Sequence, residues 1–127
     1  MWHIILVEDA KEQCPLEDYF ESIVDLKLKA KILRDIDLLE EFGTELGLPH
    51  SKIIKTARGN LYELRTKKRS NISRIFYQFA SGNRIILLNE FIKKTNKISK
   101  QEIIRAYQLL NIWKESNHDK VLSESKK

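Results

Sequence analysis

Three short stretches of this chain carry cations within segments that otherwise favour β-strands. They are residues 61–65, 74–77 and 91–95. Arginine side chains are planar, stay charged and bind a phosphate through two parallel hydrogen bonds. Cations held on a rigid sheet are suited to binding a polyanion, so these three segments form the candidate site.

Strand alternation predicts which side chains share a face of this sheet. Successive side chains of a strand point to opposite faces, so Leu61, Glu63 and Arg65 share one face of the first strand. By the same rule Arg74 and Phe76 share a face of the second strand. The two arginines are therefore predicted to be strand residues with apolar neighbours on the opposite face.

A third strand is predicted at residues 85–88, which are apolar at every position. A run that is apolar on both faces is typical of a strand in the middle of a sheet. Turn formers and charges separate the strands at residues 66–71 and 81–83, as a meander requires.

Helices and one further strand are predicted outside the meander. Residues 2–7 are a β-prone run expected to pair with a strand distant in sequence. Apolar residues at helical spacing predict helices over residues 15–24 and 28–42, the second ending at Gly43. Ser99 and Glu102 form a capping box that starts a last helix. The order β-α-α-β-β-β-α predicts an α+β fold with a small, mostly antiparallel sheet packed against helices.

Length and composition favour one domain at residues 1–115, followed by a flexible C-terminal tail at 116–127. The lone Cys14 cannot form an intrachain disulfide, which fits a reducing, cytoplasmic setting. We find no signal peptide, no run long enough to span a membrane, and no Cys/His cluster with zinc spacing. We therefore expect no metal, cofactor or membrane partner.

Charge is distributed very unevenly along the chain. Residues 1–50 contain 5 Lys/Arg against 12 Asp/Glu, whereas residues 51–127 contain 18 against 6. Such asymmetry is typical of a protein with one surface for an anion, most often RNA or DNA, and an acidic surface turned elsewhere. A solvated basic surface explains the composition equally well.

The motifs together resemble a known family. Residues 61–65, 74–77, 91–95 and 103–106 match, in order and spacing, the landmarks of HigB-type toxins, the phage-derived Gp49-like branch of the RelE superfamily. The resemblance runs over about residues 16–113. It implies a RelE-like fold, a type II toxin-antitoxin system, and a metal-independent endoribonuclease that cuts messenger RNA in the ribosomal A site. It also implies three partners, namely the ribosome, messenger RNA and a HigA-like helix-turn-helix antitoxin.

The resemblance also assigns roles to particular cations. Arg65 and Arg74 match positions where the superfamily has functional cations, and guanidinium groups suit stabilisation of a phosphorane. Lys94 matches the cation after the last strand, where it is placed to protonate the leaving oxygen. Five further cations around these motifs are predicted to contact RNA phosphates: Lys67, Lys68, Arg69, Lys93 and Lys97. Glu90 departs from the family pattern and is expected to neutralise a nearby cation.

The general base stays open at this point. Glu63 shares a strand face with Arg65, so it is either the base or, more in keeping with surface ion pairs, a structural partner of Arg65. A lysine whose pKa is lowered by neighbouring cations, or the ribosome itself, are the alternatives. We expect Arg74→Ala to spare the fold, since the apolar residues beside Arg74 build the core.

Two other classes of function fit the same residues. One is a non-catalytic RNA- or ribosome-binding module that has kept the fold and its basic sheet. The other is a protein-interaction subunit whose basic face binds an acidic partner.

Overall fold

A mixed β-sheet forms the centre of the domain in the computed structural model, which describes residues 1–93, 97–116 and 119–121. In these residues the sheet has six strands, in the order β2-β3-β4-β5-β1-β6. They are β1 (His3–Leu6), β2 (Ser51–Thr56), β3 (Gly59–Lys68), β4 (Asn71–Ala80), β5 (Arg84–Glu90) and β6 (Lys120–Val121). Strands β2 to β5 form an antiparallel meander, and β1 lies parallel to β5. The predicted α+β class is confirmed.

In the described residues, three α-helices cover the two faces of the sheet. They are α1 (Pro15–Ser22), α2 (Leu26–Phe42) and α3 (Lys100–Glu115). Asp25 caps α2 by accepting the backbone N–H groups of Lys27 and Leu28. Gly43 ends α2 at φ 53°, and a Cβ there would lie 1.9 Å from the Trp2 indole nitrogen. Only glycine combines this backbone with this close approach.

Each face of the sheet has its own apolar core. On one face Leu16 and Phe20 of α1 and Ile36 of α2 pack against strand residues such as Leu64 and Tyr77. On the other face α3 packs through Ala106, Tyr107 and Leu110 on a group that includes Leu61, Phe76, Ile86 and Phe91. The predicted alternation is confirmed, because Leu61 and Phe76 lie on the α3 face while Leu64 and Tyr77 lie on the opposite one.

Several predicted elements are confirmed in their positions. Strand β5 lies between β4 and β1 and is buried along most of its length, as its apolar sequence indicates. The β1 strand pairs with β5, far away in sequence. At the start of α3, Ser99 Oγ accepts the Glu102 N–H, but the Glu102 carboxylate accepts the Ile92 N–H instead of completing the capping box.

Two features of the meander differ from the prediction. Strand β2 was not predicted, because only Ser51 of its six residues is fully buried and its lysines suit a sheet edge. Strands β3 and β4 are also longer than predicted, so the connection between them is reduced to Arg69 and Ser70. Lys67 and Lys68 therefore belong to β3 and not to a loop.

The last residues are partly outside the described structure. Asp119 accepts hydrogen bonds from Arg84 and from the Trp113 indole, and β6 pairs with β1. These contacts hold residues 119–121 against the domain. Residues 117–118 and 122–127 lie outside the described residues, so a flexible tail at 116–127 stays a prediction.

Candidate functional site

A buried carboxylate lies between the two arginines that the sequence singled out. The Glu63 side chain is 1% exposed, and its Oε1 accepts a 2.7 Å hydrogen bond from Arg74 Nη1. Arg65 Nε lies 3.9 Å from the other carboxylate oxygen. A buried charge is strongly unfavourable unless it is paired. The ion-pair role of Glu63 is therefore confirmed, with Arg74 as its closer partner.

Strand register explains why these three residues meet. Arg65 lies directly opposite Arg74, and Glu63 opposite Phe76, in the antiparallel pairing of β3 and β4. Phe76 stacks on Phe91 with ring centroids 3.8 Å apart, and the Phe91 N–H donates to the Arg74 carbonyl at 2.9 Å. The segment after β5 thus begins beside the arginine pair. The described parts of all three sequence motifs converge at one end of the α3 face.

The two arginines are not equivalent. Arg74 is 13% exposed and is committed to Glu63, whereas the Arg65 side chain is 30% exposed. Among the described residues the Arg65 guanidinium makes no hydrogen bond, and its buried Nε has only the 3.9 Å ion-pair contact with Glu63. The exposed N–H groups of Arg65 can therefore bind an anion without losing a native hydrogen bond to another described residue.

Three consecutive cations at the end of β3 and in the turn after it lie in different environments. They form the basic run, namely Lys67, Lys68 and Arg69. Lys67 is exposed at the end of β3, and Arg69 is exposed in the turn at φ 57°. Lys68 instead donates from Nζ to the Asp25 carboxylate at 2.5 Å. The Lys68 hydrogen bond is the main reason that the pKa of Asp25 is lowered. Lys67 and Arg69 are therefore more available than Lys68 to bind a phosphate.

The cations of the third motif are described only in part. Lys93 is half-buried just after β5, and Lys97 is exposed just before α3. Lys94, the expected proton donor, lies outside the described residues. The 2.9 Å hydrogen bond from Phe91 to Arg74 nevertheless fixes the start of this segment beside the arginine pair.

A histidine that the sequence did not place in the motif region lies next to Arg65. His50 precedes β2, and its backbone carbonyl accepts the Arg65 N–H at 2.7 Å. His50 Nδ1 is 3.4 Å from Oδ1 of Asp35, and Asp35 Oδ2 accepts a 2.7 Å hydrogen bond from the Thr66 hydroxyl. Asp35 lies on α2 and is buried. No sequence spacing links His50 to Asp35, since the fold alone brings α2 to β3.

Glu90 does not neutralise the arginine pair. In the described part of the chain no ion pair joins Glu90 to Arg65 or Arg74. The residue instead lines a cavity with Tyr19, Asn89 and Arg105. Burial raises the pKa of Glu90, and the nearby Glu102 carboxylate raises it further. Glu90 is therefore not paired with Arg65 or Arg74, and its relation to Lys94 lies outside the described residues.

A family model described as phage derived protein Gp49-like (DUF891) matches residues 19–111, which is most of the chain. The chain belongs to the Gp49-like family. This family is one of RelE/HigB-like toxins. A comparison with curated proteins finds no match. The matched region contains β2 to β5 and most of α3, so both arginines and the Glu63 carboxylate lie within the Gp49-like domain.

Residues 1–93, 97–116 and 119–121 contain no cluster of three or more His, Cys, Asp or Glu side chains arranged to hold a metal ion. None of the helices in these ranges is long and apolar enough to cross a membrane.

Proposed function

We propose that this Gp49-like protein is the HigB-type toxin of a type II toxin-antitoxin pair and acts as a metal-independent endoribonuclease on messenger RNA in the ribosomal A site. The observation that carries the proposal is the convergence of Arg65, Arg74 and the segment after β5 at one end of the α3 face. Membership of a RelE/HigB-like toxin family supports it.

Each cation has a role in the proposed cleavage. Arg65 binds the scissile phosphate and stabilises the charge that develops on the phosphorane. Arg74, oriented by Glu63, supports the same charge from the neighbouring strand. Lys94 protonates the leaving 5′-oxygen. Flanking phosphates are bound by the surrounding cations, namely Lys67, Lys68, Arg69, Lys93 and Lys97.

The proposed partners follow from the same assignment. A HigA-like helix-turn-helix antitoxin holds the toxin inactive, and the ribosome presents the messenger. The proposed site of action is the cytoplasm, and the reaction takes no cofactor. Charge asymmetry supports contact with RNA through residues 51–127, with one exception. Lys31 and Arg34 of α2 line the same cavity as His50 and Arg65, so this part of α2 is also turned toward RNA.

The second candidate is a non-catalytic RNA- or ribosome-binding module of the same fold. One observation favours it, which is that Arg74 donates a 2.7 Å hydrogen bond to the buried Glu63 carboxylate. A structural ion pair explains that arrangement without any reaction.

Induction in a bacterial host, followed by cleavage assays on purified ribosomes carrying a defined messenger, separates the two candidates. The toxin arrests growth and yields new messenger ends at the A site. Co-expression of the neighbouring antitoxin gene relieves the growth arrest. Arg65→Ala abolishes the new ends, whereas Arg58→Ala, which removes an exposed arginine at the opposite end of β3, does not. If the wild-type protein binds ribosomes but produces no new messenger ends, the second candidate, the non-catalytic module, is correct.

A further inference from the structure

An imidazole and a carboxylate from different elements meet at the exposed edge of β3. Strand β2 pairs with β3 only as far as Ser51 opposite Leu64, so residues 65–68 of β3 have no β2 neighbour. His50 lies in this gap, with its Nδ1 3.4 Å from Oδ1 of Asp35. The Asp35 side chain is 12% exposed, and its second oxygen accepts the Thr66 hydroxyl at 2.7 Å. Asp35 is therefore held in place from two sides.

The geometry decides which imidazole nitrogen is available. A carboxylate beside Nδ1 favours the tautomer that carries its proton on Nδ1, since that N–H can donate to the carboxylate. The lone pair of Nε2 is then free to accept a proton. The His50 side chain is 36% exposed, so solvent and substrate can reach it. This is the arrangement in which carboxylates orient histidines for general base catalysis.

The surroundings of His50 suit a phosphodiester. A cavity of about 230 Å³ opens beside it and is lined by His50, Asp35 and four cations, Lys31, Arg34, Arg65 and Lys67. Asp35 is the only carboxylate among the residues that line this cavity. A polyanion is attracted to such an opening. Arg65 belongs both to this cavity and to the arginine pair, and its N–H is bonded to the His50 carbonyl.

We infer that His50 is the general base of the proposed cleavage, with Asp35 and Thr66 as positioning residues, an inference that rests on the proposed function. His50 Nε2 takes the proton of the ribose 2′-hydroxyl. The 2′-oxygen then forms a bond to the adjacent phosphorus while the bond from phosphorus to the 5′-oxygen breaks. The 5′-oxygen takes a proton from the acid, and the products are a 2′,3′-cyclic phosphate and a 5′-hydroxyl.

Other candidates for the base are less well placed. Glu63 is 1% exposed and accepts a hydrogen bond from Arg74 at Oε1, so a ribose hydroxyl does not reach its carboxylate. His3 lies on β1, which β4 and β5 separate from β3. His50 has a partly exposed ring, and its backbone carbonyl accepts a hydrogen bond from the Arg65 N–H, which places it next to the arginine pair.

The experiment measures messenger cleavage by the full chain on programmed ribosomes between mildly acidic and mildly alkaline pH. The variants are His50→Gln, Asp35→Asn and Thr66→Val, and His3→Gln is the matched control on an exposed histidine. A second series adds imidazole to His50→Ala. Ribosome binding and thermal unfolding of every variant are recorded alongside.

We expect His50→Gln to lose cleavage by about 100-fold or more, the usual range for a general base. The wild-type rate falls toward acidic pH because a protonated imidazole cannot accept a proton, and this fall disappears from the residual activity of His50→Gln. Asp35→Asn and Thr66→Val give smaller losses and displace the pH profile. Imidazole restores part of the His50→Ala activity, which a purely structural role does not allow.

Two results would overturn the inference while leaving the proposed function standing. In the first, the wild-type protein cleaves the messenger, and His50→Gln keeps the wild-type pH profile and a rate within about twofold of the wild-type rate. The other is a His50→Gln loss fully explained by weaker ribosome binding, with no response of His50→Ala to imidazole. If the wild-type protein yields no cleavage at any pH, the proposed function itself is wrong.

Discussion

Arg65 and Arg74 lie directly opposite each other on β3 and β4, yet only Arg74 donates a short hydrogen bond to the buried Glu63 carboxylate. The pair therefore divides into one arginine committed to the fold and one with unused donors. Substitutions at the two positions are expected to differ in their effect on stability.

Arg74→Ala is expected to destabilise the protein, contrary to the expectation from sequence. Removing the guanidinium leaves a carboxylate that is 1% exposed without its close partner, which costs about 3 kcal/mol of unfolding free energy. Urea denaturation monitored by circular dichroism measures this change. The double variant Glu63→Gln/Arg74→Ala should recover part of the loss because it buries no charge. Equal stability of Arg74→Ala and wild type would show that Glu63 is satisfied by other groups.

Arg65→Ala is expected to leave stability nearly unchanged while reducing cleavage. Arg65 is 30% exposed and its Nε is 3.9 Å from Glu63, so little native interaction is lost. Loss of one phosphate clamp costs the transition state about 2 to 4 kcal/mol. Single-turnover cleavage on ribosomes measures the effect, with Arg58→Ala as control. A large drop in melting temperature for Arg65→Ala would assign the residue to the fold.

Lys94→Ala is expected to lose cleavage in a way that depends on the leaving group. A substrate with a 5′-sulfur at the scissile bond has a leaving group that needs no proton. This substrate should largely restore the rate of Lys94→Ala but not that of Arg65→Ala, since Arg65 stabilises phosphorane charge. Equal rates of Lys94→Ala and wild type on the natural substrate would remove Lys94 from the reaction.

Salt dependence of ribosome or RNA binding should distinguish the cations of the basic run. Each phosphate contact contributes about 0.7 to the slope of log affinity against log salt for single strands. Lys67→Ala and Arg69→Ala should each flatten the slope by this amount. Lys68→Ala should change it less, because Lys68 is already paired with Asp25. A larger effect of Lys68→Ala than of Lys67→Ala would mean that the ion pair opens on binding.

Glu90→Gln is expected to stabilise the protein at neutral pH and to have little effect in acid. Burial raises the pKa of Glu90, so between its ordinary pKa and the raised one the folded state binds more protons than the unfolded state. Stability therefore falls as the pH rises through this window, and the glutamine removes that loss. Melting temperatures measured from pH 3 to 8 test this, with the exposed Glu41→Gln as control. A constant difference at all pH values would exclude the linkage.

The sequence determined the strand faces, the central position of β5 and the start of α3, because each follows from a local period, from continuous apolarity or from a capping residue. It did not reveal β2, whose six residues are mostly half-buried or exposed and so have no clear alternation. It placed Lys67 and Lys68 in a loop because charge resembles a turn, whereas pairing with β4 extends β3 through both residues.

For the site, the sequence by itself determined which residues share a face within each strand, so that Arg65 goes with Glu63 and Arg74 with Phe76. Only the tertiary structure decided that Glu63 belongs to Arg74, because that choice depends on the register between two strands. The pairing of His50 with Asp35 was likewise decided by the packing of α2 against β3. Side chains from separate elements meet through packing and register, and no local sequence pattern encodes either.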